Sequence, residues 1–376
     1  MAGLTDPQEL KFGLLACGAE ITAAARSWLQ ERSDGHGLSS ADYASTSGLI
    51  LKLEDDVWVN VPEVEHNPNF VGHSPYRLDA GQDGLHIEGD NLVSRAWFWP
   101  QPSYHGAANG HGPLNWLSVT HGDRVRLSPL RGCAMVCEFC NIPYDDPISV
   151  YTTKPIDACV ESVRTALEDP AQPASHVLIS GGTPKPKDIG YEHSLYEAVI
   201  TGFPGVDVDI MMAPVKGVLD VAKLKASGVN ELSVNVEIFD RELARRHMRS
   251  KYHQGLGNYL DFIEEATGVL GPRRVRSILL VGLEPIDSTL AGVAAIAERG
   301  GVPVLSPFRP DPATPLRHVR PPTGEDMREV LLRSQEIVDK HGAYLGPSCA
   351  PCTHNTLGFA IVDGHVNYPY TEPRVI

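Results

Sequence analysis

The sequence predicts an α/β protein: a partial (βα)6 TIM-type barrel, preceded by an N-terminal helix and small β-rich region and followed by a C-terminal helix and cysteine extension. Three observations carry that reading. After Asp123, six strand-like apolar runs alternate with helical stretches, the rhythm of a parallel sheet with crossover helices. Before it, apolar runs are short and separated by Gly, Pro, Asn and Asp, as in strands joined by turns. At 376 residues and 42% hydrophobic content the chain can build one large α/β domain with additions. The boundaries fall at 1–123, 124–320 and 321–376.

Taken in order, Asp6 to about Arg32 reads as a helix, because Leu10, Leu14, Cys17, Ile21, Ala24 and Trp28 recur at four- and three-residue steps. Cys17 then lies on the buried face, where a small core residue is the plainest reading. Residues 33–123 supply the short strands and an aromatic, irregular end around Trp97, Trp99, Tyr104 and Trp116. The barrel strands are expected at Arg124–Leu130, His176–Ser180, Val206–Met212, Glu231–Glu237, Arg274–Val281 and Pro303–Pro307. Helices are expected near 156–168, 190–202, 216–227, 239–250, 256–269 and 286–299, and functional loops at the C-terminal ends of the strands. Thr323 to about Lys340 is a further helix, ended by His341-Gly342.

Charge and cysteine usage narrow the function. The formal net charge, 32 − 47 = −15, disfavours nucleic acid, whose phosphates call for clustered Lys and Arg. Apolar runs are too short to span a bilayer, and Met1–Lys11 lacks the order of a signal peptide, so a cytoplasmic protein without a membrane partner is expected. Seven clustered cysteines fit metal ligation in a reducing compartment better than a disulfide framework.

Cys133, Cys137 and Cys140 stand at C-x3-C-x2-C spacing directly after the first barrel strand, with Gly132 easing the turn. Three thiolates without a fourth nearby leave one coordination position free, as a catalytic metal site requires. The triplet is also open to zinc with a distant fourth ligand. Cys349 and Cys352 form a second set, a C-x2-C pair in a Gly/Pro turn. They suit part of an auxiliary iron–sulfur cluster, with Cys17 as a third ligand, or alternatively a small structural metal knuckle or ordinary thiols.

The cysteine triplet, with Phe139 before its last member, resembles the cluster motif of the radical S-adenosylmethionine (SAM) superfamily, and the resemblance extends from 124 to about 320. Ser180-Gly181-Gly182-Thr183-Pro184 matches that family's motif for the methionyl amino group, and Gly282-Leu283-Glu284 resembles the segment lining the adenine. The resemblance implies a 4Fe-4S cluster on Cys133, Cys137 and Cys140. Its open iron would chelate SAM, and reductive cleavage would give a 5′-deoxyadenosyl radical. It also implies a small-molecule substrate and an electron donor such as flavodoxin or ferredoxin. Glu237 is placed to meet the ribose or amino group of SAM, or to sit in an ion pair. Among Arg245, Arg246 and Arg249, Arg246 best matches the arginine that related sequences carry for the carboxylate. Pro303–Leu316 resembles the last-strand segment of the biotin-synthase-like branch. By analogy with the family's sulfur-inserting members, an auxiliary 4Fe-4S cluster on the second cysteine set would supply sulfide for C–S bond formation. The alternatives are a rearrangement, C–C lyase or dehydrogenation with that cluster carrying electrons or anchoring substrate, and, from another class, a zinc-stabilised binding protein without catalysis.

Overall fold

Gly18 divides the N-terminal segment expected as one helix. It adopts φ +63°, and a Cβ at that position would lie 2.0 Å from the Pro62 carbonyl oxygen, so the chain turns there where only glycine fits. The result is α1 (Asp6–Cys17), a short β1 (Glu20–Ile21) and α2 (Ala23–Arg32). The computed structural model describes residues 4–32, 48–63, 73–145, 150–359, 361–362, 365–366 and 372–376.

The β-rich region is a six-stranded sheet of β1, β2 (Gly48–Leu53), β3 (Val57–Pro62), β4 (Arg77–Gly81), β5 (Gly84–Gly89) and β6 (Leu92–Phe98), in the order β1-β4-β5-β6-β2-β3. Leu10, Leu14 and Leu15 of α1 are fully buried in the same core as Leu49, Leu51 and Val59. A small hairpin, β7 (Ala108–Asn109) with β8 (Gly112–Pro113), and the turn-length α3 (Leu114–Leu117) lead on to the barrel.

The barrel sheet contains β9 (Ser118–His121), β10 (Arg124–Leu127), β13 (His176–Ile179), β14 (Asp207–Met211), β15 (Leu232–Ser233), β16 (Val275–Val281) and β17 (Val302–Pro307). The last six are parallel neighbours in chain order, and β9 pairs antiparallel with β10 at the edge. The sheet is a curled half-barrel, and it starts at Ser118, slightly before the expected boundary. Between its strands run a small antiparallel pair, β11 (Leu130–Arg131) with β12 (Thr152–Thr153), the short α4 (Ile142–Asp145), and helices α5 (Ile156–Leu167), α6 (Ile189–Gly202), α7 (Val221–Ser227), α8 (Arg241–His247), α9 (Arg249–Gln254), α10 (Leu256–Leu270) and α11 (Ile286–Ala297). The helix expected at 239–250 is therefore two, α8 and α9, joined at Met248. The strand expected at Glu231–Glu237 is regular only at Leu232–Ser233, because Glu237 takes φ +65° and rejoins the sheet through an isolated bridge to Leu279.

Val125, Leu127, Val177, Ile179, Val208, Ile210 and Leu232 all enter the main core beneath the helices. Side chains alternate along a strand, so Arg124, Arg126, Leu178 and Asp209 face the concave side, the lumen of the half-barrel. α12 (Gly324–Lys340) packs through Met327, Val330 and Val338 into the core shared with α1. The chain then returns to the barrel, where Gly346 bridges Val304 and the Leu357 N–H donates to Leu305 O at 2.8 Å. Lys11, fully buried on α1, donates to Thr353 O (3.0 Å) and Gly358 O (2.7 Å) and fixes this return. A last two-stranded pair joins β18 (Ile361–Val362) to β19 (His365–Val366). Among the described residues no helix is long and apolar enough to cross a membrane.

Candidate active site

The cysteine loop and the Gly-Gly loop form one unit at the C-terminal ends of β10 and β13. Gly132 turns the chain with φ +74°, Ala134 N–H donates to Thr183 O at 2.9 Å, and Thr183 N–H points at Cys133 Sγ at 3.1 Å. Met135 N–H approaches the same sulfur at 3.3 Å, so two backbone donors point at Cys133 Sγ. A Cβ on Gly182 would sit 1.9 Å from Gly132 O, so any larger residue would part the two loops. Glycine is required here by the close approach of backbone to backbone.

Cys137 packs with Ile238, Met248, Leu283 and Phe308, and Phe139 and Cys140 lie against the same cluster. Burial pushes the Cys137 thiol up, with Glu237 adding to the rise, and holds Cys140 at about 11. Two protonated, buried thiols beside a carboxylate are poor free nucleophiles. A bound cationic metal cluster would reverse this, since coordination removes the thiol proton outright. The loop is braced from outside by Glu138, whose N–H donates to His247 O (2.8 Å) and whose carboxylate meets His247 Nδ1 (2.8 Å).

Glu237 sits among these groups, 2.6 Å from Lys251 Nζ. Burial opposes charge on Lys251, but Glu237 outweighs it and holds the ammonium protonated well above its ordinary range. Lys251 on α9 is thus the cation that pairs with Glu237. Arg246 is exposed on α8, as are Arg245, which pairs with Glu242, and Arg249. α8 ends at His247 and the buried Met248 joins it to α9, from which Lys251 reaches Glu237.

The remaining expected positions divide. Ser180 lies at the end of β13 with its hydroxyl 3.5 Å from Met211 Sδ, and Thr183 and Pro184 are buried beside the cysteine loop. Gly282, at φ +99°, backs onto Pro322, and Leu283 reaches the apolar cluster of Cys137. Glu284 is turned away: it accepts from Asp240 N–H (2.7 Å) and Thr289 Oγ1 (3.2 Å), and burial raises its pKa to about 7. It secures the start of α8 and does not present its carboxylate to a ligand.

Sequence reasoning missed Arg126. Its side chain has much accessible surface although it lies deep in the protein, because it faces the lumen; burial lowers its pKa, and Cys140 and Tyr104 are its nearest countering groups. Among the described residues no carboxylate or carbonyl accepts from its guanidinium. The available signal was Arg124-Val125-Arg126-Leu127, two arginines on one face of a strand whose other face is core.

The C-terminal cysteines lie at the other end of the same strands. Asp123 immediately precedes β10 and His176 begins β13, and one ligand atom from each meets the sulfurs of Cys349 and Cys352, all within 4.8 Å of one another. The two sulfurs are joined as a disulfide, a local link that the expectation of metal-ligating thiols did not include. Cys17 is not in this group. It lies at the end of α1, partly buried, beside Tyr76 and Asp90, because the Gly18 turn directs the chain to the N-terminal sheet. Cys159 is buried on α5.

Residues 127–292 match the family model described as the radical SAM superfamily. The match begins at the last residue of β10 and takes in the cysteine loop, the Gly-Gly loop, Glu237 and Gly282. Among solved structures, the chain resembles the FeFe-hydrogenase maturase HydG from Carboxydothermus hydrogenoformans at 16% identity and TM-score 0.46, covering 60% of this chain and 54% of that one. A second HydG structure, titled as a maturase of the [FeFe]-hydrogenase, matches at 14% identity and TM-score 0.48, covering 57% and 50%. The chain thus spans about half the length of these structures. No curated protein matches it.

Residues 127–292 fit the group that the matched family model implies. Three thiols on one loop, Cys137 buried and Cys133 and Cys140 partly so, with a glycine cradle against them, suit a cluster on Cys133, Cys137 and Cys140 and a ligand approaching over Gly181 and Gly182.

Proposed function

We propose that this chain is an enzyme that reductively cleaves S-adenosylmethionine and directs the resulting radical at a small molecule bearing an anionic group. The observation that carries the proposal is the direct joining of the cysteine loop to Ser180–Pro184 through Ala134, Cys133 and Thr183. When bound, an iron–sulfur cluster with an open iron supplies the electron for that cleavage. The chain's own part is binding and exclusion of water. Gly182 keeps the two loops in register, Lys251 neutralises Glu237, and Leu283 and Phe308 dry the rim. Arg126 offers two parallel N–H donors to a carboxylate or phosphate in the lumen below Cys140.

The C–S bond-forming version requires a sulfide-bearing auxiliary cluster at Cys349 and Cys352. Their neighbours are Asp123 and His176 within reach of a single ion, and Cys17 is elsewhere, so hydrogen abstraction followed by rearrangement, C–C cleavage or dehydrogenation is the version we favour. The reaction needs a one-electron donor of the flavodoxin or ferredoxin kind, and a cytoplasmic setting suits such a donor.

The test is anaerobic reconstitution with iron and sulfide, followed by dithionite and SAM. The expected result is 5′-deoxyadenosine and methionine in equal amounts from the wild-type chain and neither from Cys137→Ala. A wild-type chain that holds its cluster and leaves SAM intact would contradict the proposal.

A further inference from the structure

We propose that Asp123, His176, Cys349 and Cys352 bind one zinc ion when the protein is reduced, stapling the C-terminal return to the starts of β10 and β13. Four donors from three separated chain segments converge at this end of the half-barrel. Tetrahedral zinc, with bonds of about 2.0–2.3 Å, holds its ligand atoms roughly 3.3–3.8 Å apart. Asp123 Oδ1 lies 3.1 Å from Cys349 Sγ and 3.9 Å from Cys352 Sγ, and His176 Nε2 lies 3.6 Å from Cys352 Sγ. The two sulfurs, joined as a disulfide, would have to move apart.

The surroundings are those of a ligand set. Cys352 N–H points at Cys349 Sγ at 3.1 Å, the backbone-to-sulfur contact that supports a thiolate in a tight C-x2-C turn. His176 directs Nε2 to the sulfurs while Nδ1 meets Ser175 Oγ at 3.1 Å, and Ser175 Oγ also donates to Asp123 Oδ2 at 2.9 Å. One serine thus orients both non-sulfur ligands, the arrangement that fixes the ring and carboxylate of a metal site. Asp123 Oδ1, by contrast, faces a disulfide sulfur with no hydrogen to give. Two thiolates and a cation account for that contact, and two sulfurs with one nitrogen and one oxygen in tetrahedral reach favour zinc.

The reaction balances with a dithiol reductant. The dithiol transfers two electrons and two protons to the Cys349–Cys352 bond, becomes a cyclic disulfide and leaves two thiols; Zn2+ then displaces both thiol protons to solvent. Because the ion links residues far apart in sequence, its loss frees long loops and lowers stability. The knuckle is further seated by Ser348 Oγ, which donates to Glu231 Oε1 at 2.9 Å, and Glu231 with Asp209 binds Arg276 (2.5 and 3.1 Å).

The experiment is metal analysis of the full chain, prepared anaerobically with zinc and a dithiol reductant. About one zinc per chain is expected in the wild type and in the Cys133→Ala, Cys137→Ala, Cys140→Ala triple variant, and none in His176→Gln or Cys352→Ser. Wild type without zinc, zinc retained in both single variants, or iron and sulfide that disappear with Cys352 would each overturn the proposal. Should the variants fail to fold, thermal unfolding of chelator-stripped wild type decides: zinc is expected to raise the midpoint by several degrees, and an unchanged midpoint overturns the site.

Discussion

The two cysteine sets occupy opposite ends of the same parallel strands and do different work. At the C-terminal ends, Cys133, Cys137 and Cys140 lie against glycine backbone and a Glu237–Lys251 pair, with Arg126 facing the lumen beneath. At the N-terminal ends, Cys349 and Cys352 meet a carboxylate and an imidazole at single-ion distances. The first set offers three ligands from one loop; the second gathers four donors from three chain segments. Cysteine spacing alone makes both look like cluster motifs, and the donors that the fold brings to each separate them.

The largest effect that can break this comparison comes from the cysteines themselves. Cys137→Ala is expected to reduce bound iron from about four atoms per chain to nearly none, while Cys352→Ala leaves it unchanged, read by iron and sulfide assay after anaerobic reconstitution. Equal loss from both variants would mean that the two sets share one centre. Next is Lys251→Met, which leaves the Glu237 carboxylate buried without its cation. A cost of about 3–5 kcal/mol is expected in chemical denaturation, with Glu237→Gln in the same chain recovering much of it.

Gly182→Ala sharpens the role of the upper end. Its methyl group would collide with Gly132 O, so the loops must separate, and SAM affinity is expected to fall by about tenfold or more while iron content stays near that of the wild type. Calorimetric titration with SAM reads the first quantity and iron assay the second.

Much of the barrel was legible because parallel strands covered by helices read as apolar runs, and the runs beginning at Arg124, His176 and Val206 start within a residue of β10, β13 and β14. Cys133–Cys140 and Ser180–Pro184 were legible because both are local motifs tied to strand ends. Other features were hidden by tertiary register. Asp123 and His176 are 53 positions apart by their numbers, 176 − 123, and meet only because β10 pairs with β13. Lys251 reaches Glu237 only because α8 and α9 separate at Met248, and the first helix stops at Gly18 because the Pro62 carbonyl, distant in sequence, lies against it.

The smallest effect concerns Glu284. Its folded pKa, about 7, stands above the unfolded value of 4.5, so burial favours the protonated carboxyl. Its stabilising contribution is full below the unfolded pKa and is lost as pH rises through about 7. Glu284→Gln should therefore flatten stability between those values, by an amount on the order of 2–3 kcal/mol, in denaturation curves taken across that range. Variant and wild type with the same pH slope would show that Glu284 remains charged at the start of α8.

The central claim, that the Cys133–Cys140 cluster keeps one iron open for SAM, is tested most directly by electron paramagnetic resonance of the dithionite-reduced chain, with and without SAM. The account predicts one reduced four-iron signal whose g-values and line shape change on adding SAM, and which is absent from Cys137→Ala. A four-iron signal that is the same with and without saturating SAM would contradict it.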